Sequence, residues 1–131
     1  MLAGWLLVIL PSVMVGGVSI LTFLIGTPEY MANQLRQDLW RAGHAHAGVF
    51  LILSLVLLRY VDEATLGRMA KWLVRLGPPV AAILLPVAFF LSVLTPTATE
   101  PNALINLAYA GAVVLAAAVV TLGVGLLRKQ R

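Results

Sequence analysis

Two histidines, His44 and His46, are the residues of this sequence whose type and spacing point most directly to chemistry. They lie in the segment RAGHAHAGVF, residues 41–50, where small and apolar residues surround both side chains. An ionisable side chain within an apolar helix is costly, so the pair is a candidate functional site. Imidazole binds heme iron, copper, zinc and nonheme iron, and the residue type alone therefore leaves the metal open.

The spacing of the two histidines limits how they can act. Each residue of an α-helix turns about 100°, so His44 and His46 point roughly 200° apart and cannot hold one ion from the same face. The spacing therefore predicts two sites or two partners. Cysteine is absent, which excludes disulfides, thiolate metal sites and iron–sulfur clusters in this chain. A structural use also stays open, because either imidazole can hydrogen-bond to a nearby carbonyl or to interfacial water.

The histidine-x-histidine motif, with small residues before it and Gly48 and Phe50 after it, resembles a helix of heme-copper oxidases and nitric oxide reductases. In those proteins the helix supplies ligands to two hemes on its opposite sides. The resemblance implies that His44 and His46 are each an axial ligand of heme b, with the second ligand supplied by another subunit. Arg41 is a candidate partner of a heme propionate or another anion, or else a boundary arginine that reaches the headgroups. Copper, zinc, nonheme iron or no cofactor at all are the alternatives.

A second polar cluster is predicted at the start of the last apolar segment. Asn102, Asn106 and Tyr109 recur there at helical spacing, and Glu100 stands just before them. We expect Asn106, Tyr109 and Glu100 to orient the imidazoles from a neighbouring helix. A simpler use of the asparagines is as a helix cap or an interhelical hydrogen bond. The sequence indicates no catalytic residue and leaves open whether the chain is an enzyme.

Four apolar segments must position these residues. Of the 131 residues, 61% are hydrophobic and 11% are charged, and the mean hydropathy is +0.99, which excludes an ordinary soluble domain. Four uncharged stretches run for 17 to 28 residues, and a hydrocarbon core about 30 Å thick needs about 20 helical residues. The sequence predicts one all-α domain, an integral membrane four-helix transmembrane bundle with spans at about 5–26, 42–60, 78–95 and 102–127.

The distribution of charge predicts the orientation of the bundle. Nine Lys and Arg stand against five acids. Arg36 and Arg41 lie in the first connection, and the other seven basic residues lie in the second connection and at the C-terminus. The positive-inside rule then places both termini in the cytoplasm and the histidines toward the outer face. We expect an integral protein of a bacterial-type inner membrane or a plasma membrane, with no nucleic-acid partner.

The connections carry further expectations. Residues 27–41 alternate apolar and polar at roughly helical spacing, which favours a short helix in the membrane surface, and the basic pattern of residues 66–76 is typical of an anchor on anionic lipid. Pro78-Pro79 are predicted to begin the third span, and Pro86 to kink it. Small residues on the first, second and fourth spans predict close packing and association into a homo-oligomer or a larger membrane complex.

These patterns support three functional hypotheses. The first is a heme- or metal-binding membrane protein in electron transfer or redox sensing, with its site between the starts of the second and fourth spans. The second is a noncatalytic accessory subunit of a larger membrane complex, in which the histidines are structural. The third is a small transporter or channel that uses the Pro86 helix and the polar cluster. The inner halves of the spans contain almost no polar residues, which weighs against a continuous polar route.

Overall fold

The computed structural model describes residues 1–129, and every regular element in that range is helical. The elements are α1 (Leu2–Gly26), α2 (Pro28–Met31), α3 (Gln34–Tyr60), α4 (Arg68–Ser92), a turn of 3-10 helix (Ala103–Ile105) and α5 (Asn106–Lys129). The all-α prediction is confirmed. Four of the elements, α1, α3, α4 and the α5 region, are long and apolar enough to cross a membrane, so the fold is that of an integral membrane protein.

The four long helices pack in the order in which they occur along the chain. α3 packs extensively on α4, and α4 on α5, whereas α1 packs more sparsely on α3. α3 and α5 barely touch each other, so α4 separates them. The connections 27–33 and 93–105 lie together at one end of the bundle, which we call the distal end. The connection 61–67 and the N-terminus lie at the opposite, proximal end.

Small residues allow α4 and α5 to approach closely. A Cβ added to Gly77 of α4 would lie 3.0 Å from the Cβ of Ala118, which is fully buried on α5. A Cβ added to Gly111 of α5 would overlap the side chain of Leu85. Because hydrocarbon tails are as apolar as the helices, association in a membrane depends on such close packing. The two glycines therefore fix the distance between α4 and α5.

α3 begins at Gln34, eight residues before the predicted start of the second span. Asn33 provides the reason, because its side-chain oxygen accepts a hydrogen bond of 3.0 Å from the backbone N–H of Arg36 and so caps the helix. The short helix expected within residues 27–41 is therefore confined to α2. α2 alone is a separate short helix, and the remainder of the segment continues into α3.

α4 also begins before its predicted start, at Arg68. Pro78 and Pro79 lie inside the helix, and the prediction that they begin it is wrong. A proline removes the N–H that would bond to the carbonyl four residues back, so this helix lacks two successive bonds near its middle. Neighbouring helices and local adjustments compensate for such losses in membrane helices, which explains why two prolines do not end α4.

Ion pairs and a backbone hydrogen bond connect the helices at the proximal end. Oδ1 of Asp62 lies 2.6 Å from Nη2 of Arg75 and 3.5 Å from Nζ of Lys71. The hydrogen bond from Arg75 is the main reason that the pKa of the Asp62 carboxyl is held below its ordinary value of 3.8. The backbone N–H of Thr65 also donates to the carbonyl of Gly125 at 3.0 Å. The connection between α3 and α4 is thus tied both to α4 and to the end of α5.

Candidate functional site: the histidine pair and the distal polar cluster

His44 and His46 lie near the middle of α3, a helix of 27 residues. The predicted second span, residues 42–60, would place them in the opening turns of the helix, and this expectation is wrong because α3 begins at Gln34. The two imidazoles face different helices, as their spacing predicts. His44 packs against α1, and His46 packs against Phe89 of α4. One ion cannot be shared between them within a single chain.

The imidazole of His44 occupies a notch on α1 that Gly16 and Gly17 form. A Cβ added to Gly17 would lie 2.8 Å from Cε1 and 2.9 Å from Nε2 of His44, whereas one added to Gly16 would lie 3.9 Å from Nδ1. Real Cβ contacts essentially never fall below 3.0 Å, so the ring fits here because Gly17 has no side chain. Among the described residues His44 has no hydrogen-bond partner, unlike His46.

The imidazole of His46 is held by its own helix. Its Nδ1 lies 2.7 Å from the carbonyl oxygen of Ala42, four residues earlier. Because a carbonyl oxygen can only accept, Nδ1 is the donor of this bond, and Nε2 is the nitrogen whose lone pair a neutral imidazole can offer to a ligand. A ring nitrogen fixed by a backbone carbonyl, with the opposite nitrogen available as a ligand, is the usual arrangement of histidines that bind metals. The same bond also fits a purely structural histidine.

The surroundings of His46 are apolar and partly open. The ring centroids of Phe50 and Phe89 each lie 5.3 Å from that of His46. The imidazole also lines a shallow cavity of about 150 Å³ together with Ala45, Val49 and Phe50. Ala45 and Val49 are exposed, so this cavity opens on the surface of the bundle. A flat apolar group, or a helix of a second chain, can approach the imidazole from that side.

This chain offers few further metal ligands. Within residues 1–129 no group of three or more His, Asp or Glu side chains is close enough together to hold a metal ion. A closed copper, zinc or nonheme-iron site normally takes at least three protein ligands, so such a site would need ligands from another chain. Heme iron needs one or two axial ligands and is less demanding. The donor set fits a heme better than a bare metal ion.

The structure does not bring the predicted orienting residues to the histidines. Asn106, Tyr109 and Glu100 are all exposed, and Tyr109 is 71% exposed. They lie on α5 or just before it, and α4 separates α5 from α3. In the part of the chain that the structure describes, no hydrogen bond joins these side chains to either imidazole. The spacing identifies a shared helix face, but it does not show which helix lies next to that face.

Arg41 is held by its own helix, three residues before His44. Its Nε donates to the carbonyl of Gln37 at 3.1 Å, and its Nη2 lies 3.2 Å from Oε1 of Gln37 and 3.3 Å from Oδ1 of Asp38. The ion pair with Asp38 is about half exposed on both sides, so it adds little to stability. The guanidinium remains at the surface of the bundle.

A buried polar cluster at the distal end is centred on Arg36, a residue that is not among the predicted site residues. Arg36 is 7% exposed. Its Nε donates to the carbonyl of Val93 at 3.0 Å, and its Nη2 to that of Leu94 at 3.3 Å. These carbonyls follow the last turn of α4, whose negative end a cation stabilises. The guanidinium also stacks on Trp40, with 4.6 Å between Cζ and the ring centroid.

Other side chains of the same segment join the two distal connections. Nδ2 of Asn33 donates to the carbonyls of Pro96 at 3.0 Å and Ala98 at 2.9 Å. Nε2 of Gln37 donates to the carbonyl of Tyr30 at 3.0 Å and to that of the next residue at 2.9 Å. The sequence does contain a signal for this cluster, because positions 33, 36 and 37 share one face of a helix. That signal becomes visible once α3 is taken to begin at residue 34.

A cavity of about 310 Å³ adjoins this cluster. Tyr30 is 1% exposed, and its hydroxyl is the one buried side-chain polar atom in residues 1–129 that lacks a hydrogen-bond partner. Burial raises the pKa of Tyr30 above its ordinary 10.0, so the hydroxyl is a protonated donor. The residues that line the cavity are Phe23, Thr27, Glu29, Tyr30, Arg36, Trp40 and Pro96.

Two places in the bundle are therefore candidate ligand sites, the oriented imidazole of His46 and the distal cavity beside Tyr30 and Arg36. Comparison with protein-family models, with curated proteins and with solved structures finds no match for this chain. The function of both places must be inferred from their own contacts and charges.

Proposed function

We propose that this chain is a heme-binding membrane protein that carries electrons or senses redox state, with His46 as an axial ligand. The observation that carries the proposal is the bond of 2.7 Å between Nδ1 of His46 and the carbonyl of Ala42. It fixes the tautomer and the plane of the imidazole and leaves Nε2 as a ligand. A heme b held there would supply one-electron chemistry, which a chain without cysteine and without other redox groups does not have.

The second axial ligand would come from another chain, either a second copy or a different subunit. His44 faces α1 and His46 faces α4, so the two imidazoles of one chain cannot meet at one iron. The cavity beside His46 opens at the exposed residues Ala45 and Val49. An incoming helix would therefore approach His46 from this exposed side of α3. His44 is the second candidate ligand, with Arg41 near it as a partner for a propionate.

The proposal includes an orientation, in which the distal end faces the outside of a bacterial-type inner membrane or a plasma membrane. Support comes from the basic residues, because Arg36 and Arg41 stand at the distal end whereas Arg59, Arg68, Lys71, Arg75 and Arg128 stand at or near the proximal end. The positive-inside rule places the richer side in the cytoplasm. A reporter that is active in the cytoplasm alone, fused to the C-terminus, tests the orientation.

The test of the heme proposal is an optical spectrum of protein made with ample heme, purified in detergent, and recorded after air oxidation and after dithionite reduction. We expect a Soret band that disappears in His46→Ala. His44→Ala changes the other face of the same helix and tests the second candidate ligand, so loss of the band in His46→Ala alone would assign the heme to His46. Retention of the full band in both single variants and in the double variant would overturn the proposal. So would a wild-type protein with neither a Soret band nor iron by elemental analysis.

A second candidate function, a noncatalytic subunit of a larger membrane complex, is favoured by the packing of the histidines themselves. His44 fills the notch of Gly16 and Gly17, and His46 bonds to a carbonyl of its own helix. Either contact alone would account for a histidine at that position of the bundle without a bound ligand. This candidate predicts a colourless protein that copurifies in a stable ratio with another membrane protein, and whose yield in detergent falls when either histidine is replaced.

A further inference from the structure

Within the described part of the chain, the distal cavity brings together the buried hydroxyl of Tyr30, which lacks an acceptor, and the guanidinium of Arg36, which has one nitrogen that donates to nothing. Nη1 of Arg36 donates to no atom of residues 1–129, and no carboxylate in that range lies within 4.0 Å of the guanidinium. The hydroxyl of Tyr30 has no partner either. A buried hydroxyl without an acceptor weakens a fold, and the guanidinium, although it is bonded to the end of α4, has no carboxylate in that range as a counter-ion. An oxygen atom that carries negative charge would accept hydrogen bonds from both side chains.

We propose that this cavity binds the oxyanion of an anionic amphiphile. A carboxylate or phosphate has enough lone pairs to accept from Nη1 of Arg36 and, after a small local shift that uncovers the buried hydroxyl, from Tyr30. Bonds of this type to a charged acceptor are the stronger kind. The rings of Phe23 and Trp40 line the same cavity and provide an apolar wall for the first carbons of the chain. The site is separate from His46 and does not depend on a bound heme.

The position of the cavity in the bundle favours a ligand that comes from the membrane. Its lining residues belong to the end of α1, the start of α3 and the connections between the long helices. In a helix bundle that spans a bilayer, these are the levels at which lipid headgroups lie. A volume of about 310 Å³ is at the lower limit of ligand pockets. It is suited to a headgroup and a few carbons rather than to a whole lipid.

Glu29, an exposed acidic residue, also lines the cavity. Its negative charge would repel an anion, so the proposal predicts the direction in which its replacement changes the binding affinity. Glu29→Gln should tighten the binding of an anionic amphiphile several-fold, because the repulsion is removed while the shape is kept. An uncharged ligand would be almost indifferent to the same change. The oxyanion has two possible sources, the phosphate of an anionic lipid and the carboxylate of a free fatty acid.

The fluorescence of Trp40, which lines the cavity, reports the occupant. Trp5 and Trp72 are 66% and 46% exposed, so they can be replaced by phenylalanine to leave Trp40 as the single tryptophan. The protein in phosphatidylcholine nanodiscs is then supplied with dibrominated phosphatidylglycerol, or in a separate arm with dibromostearate, because bromine quenches tryptophan. Brominated phosphatidylcholine is the control. We expect quenching beyond the control in at least one arm, and the arm identifies the source of the oxyanion.

Variants separate binding from folding. Tyr30→Phe removes one hydroxyl, and we expect it to weaken the quenching ligand about 3- to 10-fold while it leaves the empty protein as stable as before or more stable. Tyr60→Phe, at an exposed proximal position, is the matched control and should change nothing. Arg36 is left in place because it also caps α4. The proposal is overturned if neither brominated anion quenches Trp40 more than phosphatidylcholine does, or if Tyr30→Phe and Glu29→Gln both leave the quenching unchanged.

Discussion

The notch on α1 gives a pair of adjacent substitutions that test how closely His44 is packed. Gly17→Ala places a methyl group 2.8 Å from Cε1 of His44, about 0.6 Å inside the 3.4 Å at which ordinary contact begins. Gly16→Ala places one 3.9 Å from Nδ1, within ordinary contact. Both changes replace glycine by alanine on the same helix, so both gain the same helix propensity. They differ in what the methyl group meets.

The expected magnitudes follow from these distances. Alanine is favoured over glycine in a helix by about 1 kcal/mol, and this gain should appear almost undiminished in Gly16→Ala. Overpacking costs about 1–3 kcal/mol, because the imidazole of His44 or the whole of α1 must shift. Gly17→Ala should therefore be less stable than Gly16→Ala by about 1–3 kcal/mol. The penalty should disappear when His44 is replaced by alanine, which gives a coupling energy of the same size.

The assay is unfolding by dodecyl sulfate in mixed micelles, followed by far-UV circular dichroism, for the wild type, the three single variants and the double variant Gly17→Ala, His44→Ala. Equal stability of Gly16→Ala and Gly17→Ala would refute the packing of His44 on α1. So would a penalty for Gly17→Ala that persists without His44. If the protein carries heme, Gly17→Ala should leave the Soret band in place, because His46 lies on the other side of α3.

Three further predictions concern the rest of the bundle. Asn33→Ala removes the cap of α3 and the bonds to the distal connection, and it should lower the free energy of unfolding in the same assay by about 1–3 kcal/mol. Gly111→Ala should cost about 1–3 kcal/mol by overpacking, whereas Gly123→Ala, which would meet nothing within 4 Å, should be neutral or stabilising. The hydrogen bond from Arg75 lowers the pKa of Asp62 in the folded state. The ionised carboxylate therefore stabilises the fold at pH values above its unfolded pKa of about 3.8, and this stabilisation is lost as the pH falls through the lower, folded-state pKa. The pH dependence of thermal unfolding below pH 4 should therefore weaken in Asp62→Asn.

The sequence is sufficient to predict four apolar helices and opposite directions for the two histidines. Both follow from residue counts and from the fixed turn of an α-helix, which tertiary packing does not change. The ends of the helices are less predictable. Gln34 to Arg41 looks like a connection because it is polar, yet one cap at Asn33 is enough to make it part of α3. Pro78-Pro79 looks like a helix start, yet a membrane helix can continue through it.

The packing partners of each helix are also difficult to predict from the sequence. Asn106 and Tyr109 do share a face, but that face belongs to α5, and α4 stands between α5 and the histidines. Periodicity describes one helix at a time and does not give the order in which helices pack. The distal cluster was missed for a related reason, since Arg36 counts as a topology signal in the sequence. Its bonds to the carbonyls of Val93 and Leu94 span more than fifty positions, and no local pattern predicts them.

The packing order of the long helices has a consequence for how the protein is made. Each long helix has its most extensive contacts with the helix synthesised just before or just after it. Such local contacts cost little chain entropy to form, so the bundle can assemble while the ribosome is still at work. α1 and α3 can join through the notch of Gly17 before α4 exists. Arg36 is the exception, because its acceptors follow α4, and the distal end can close over it when that helix is complete.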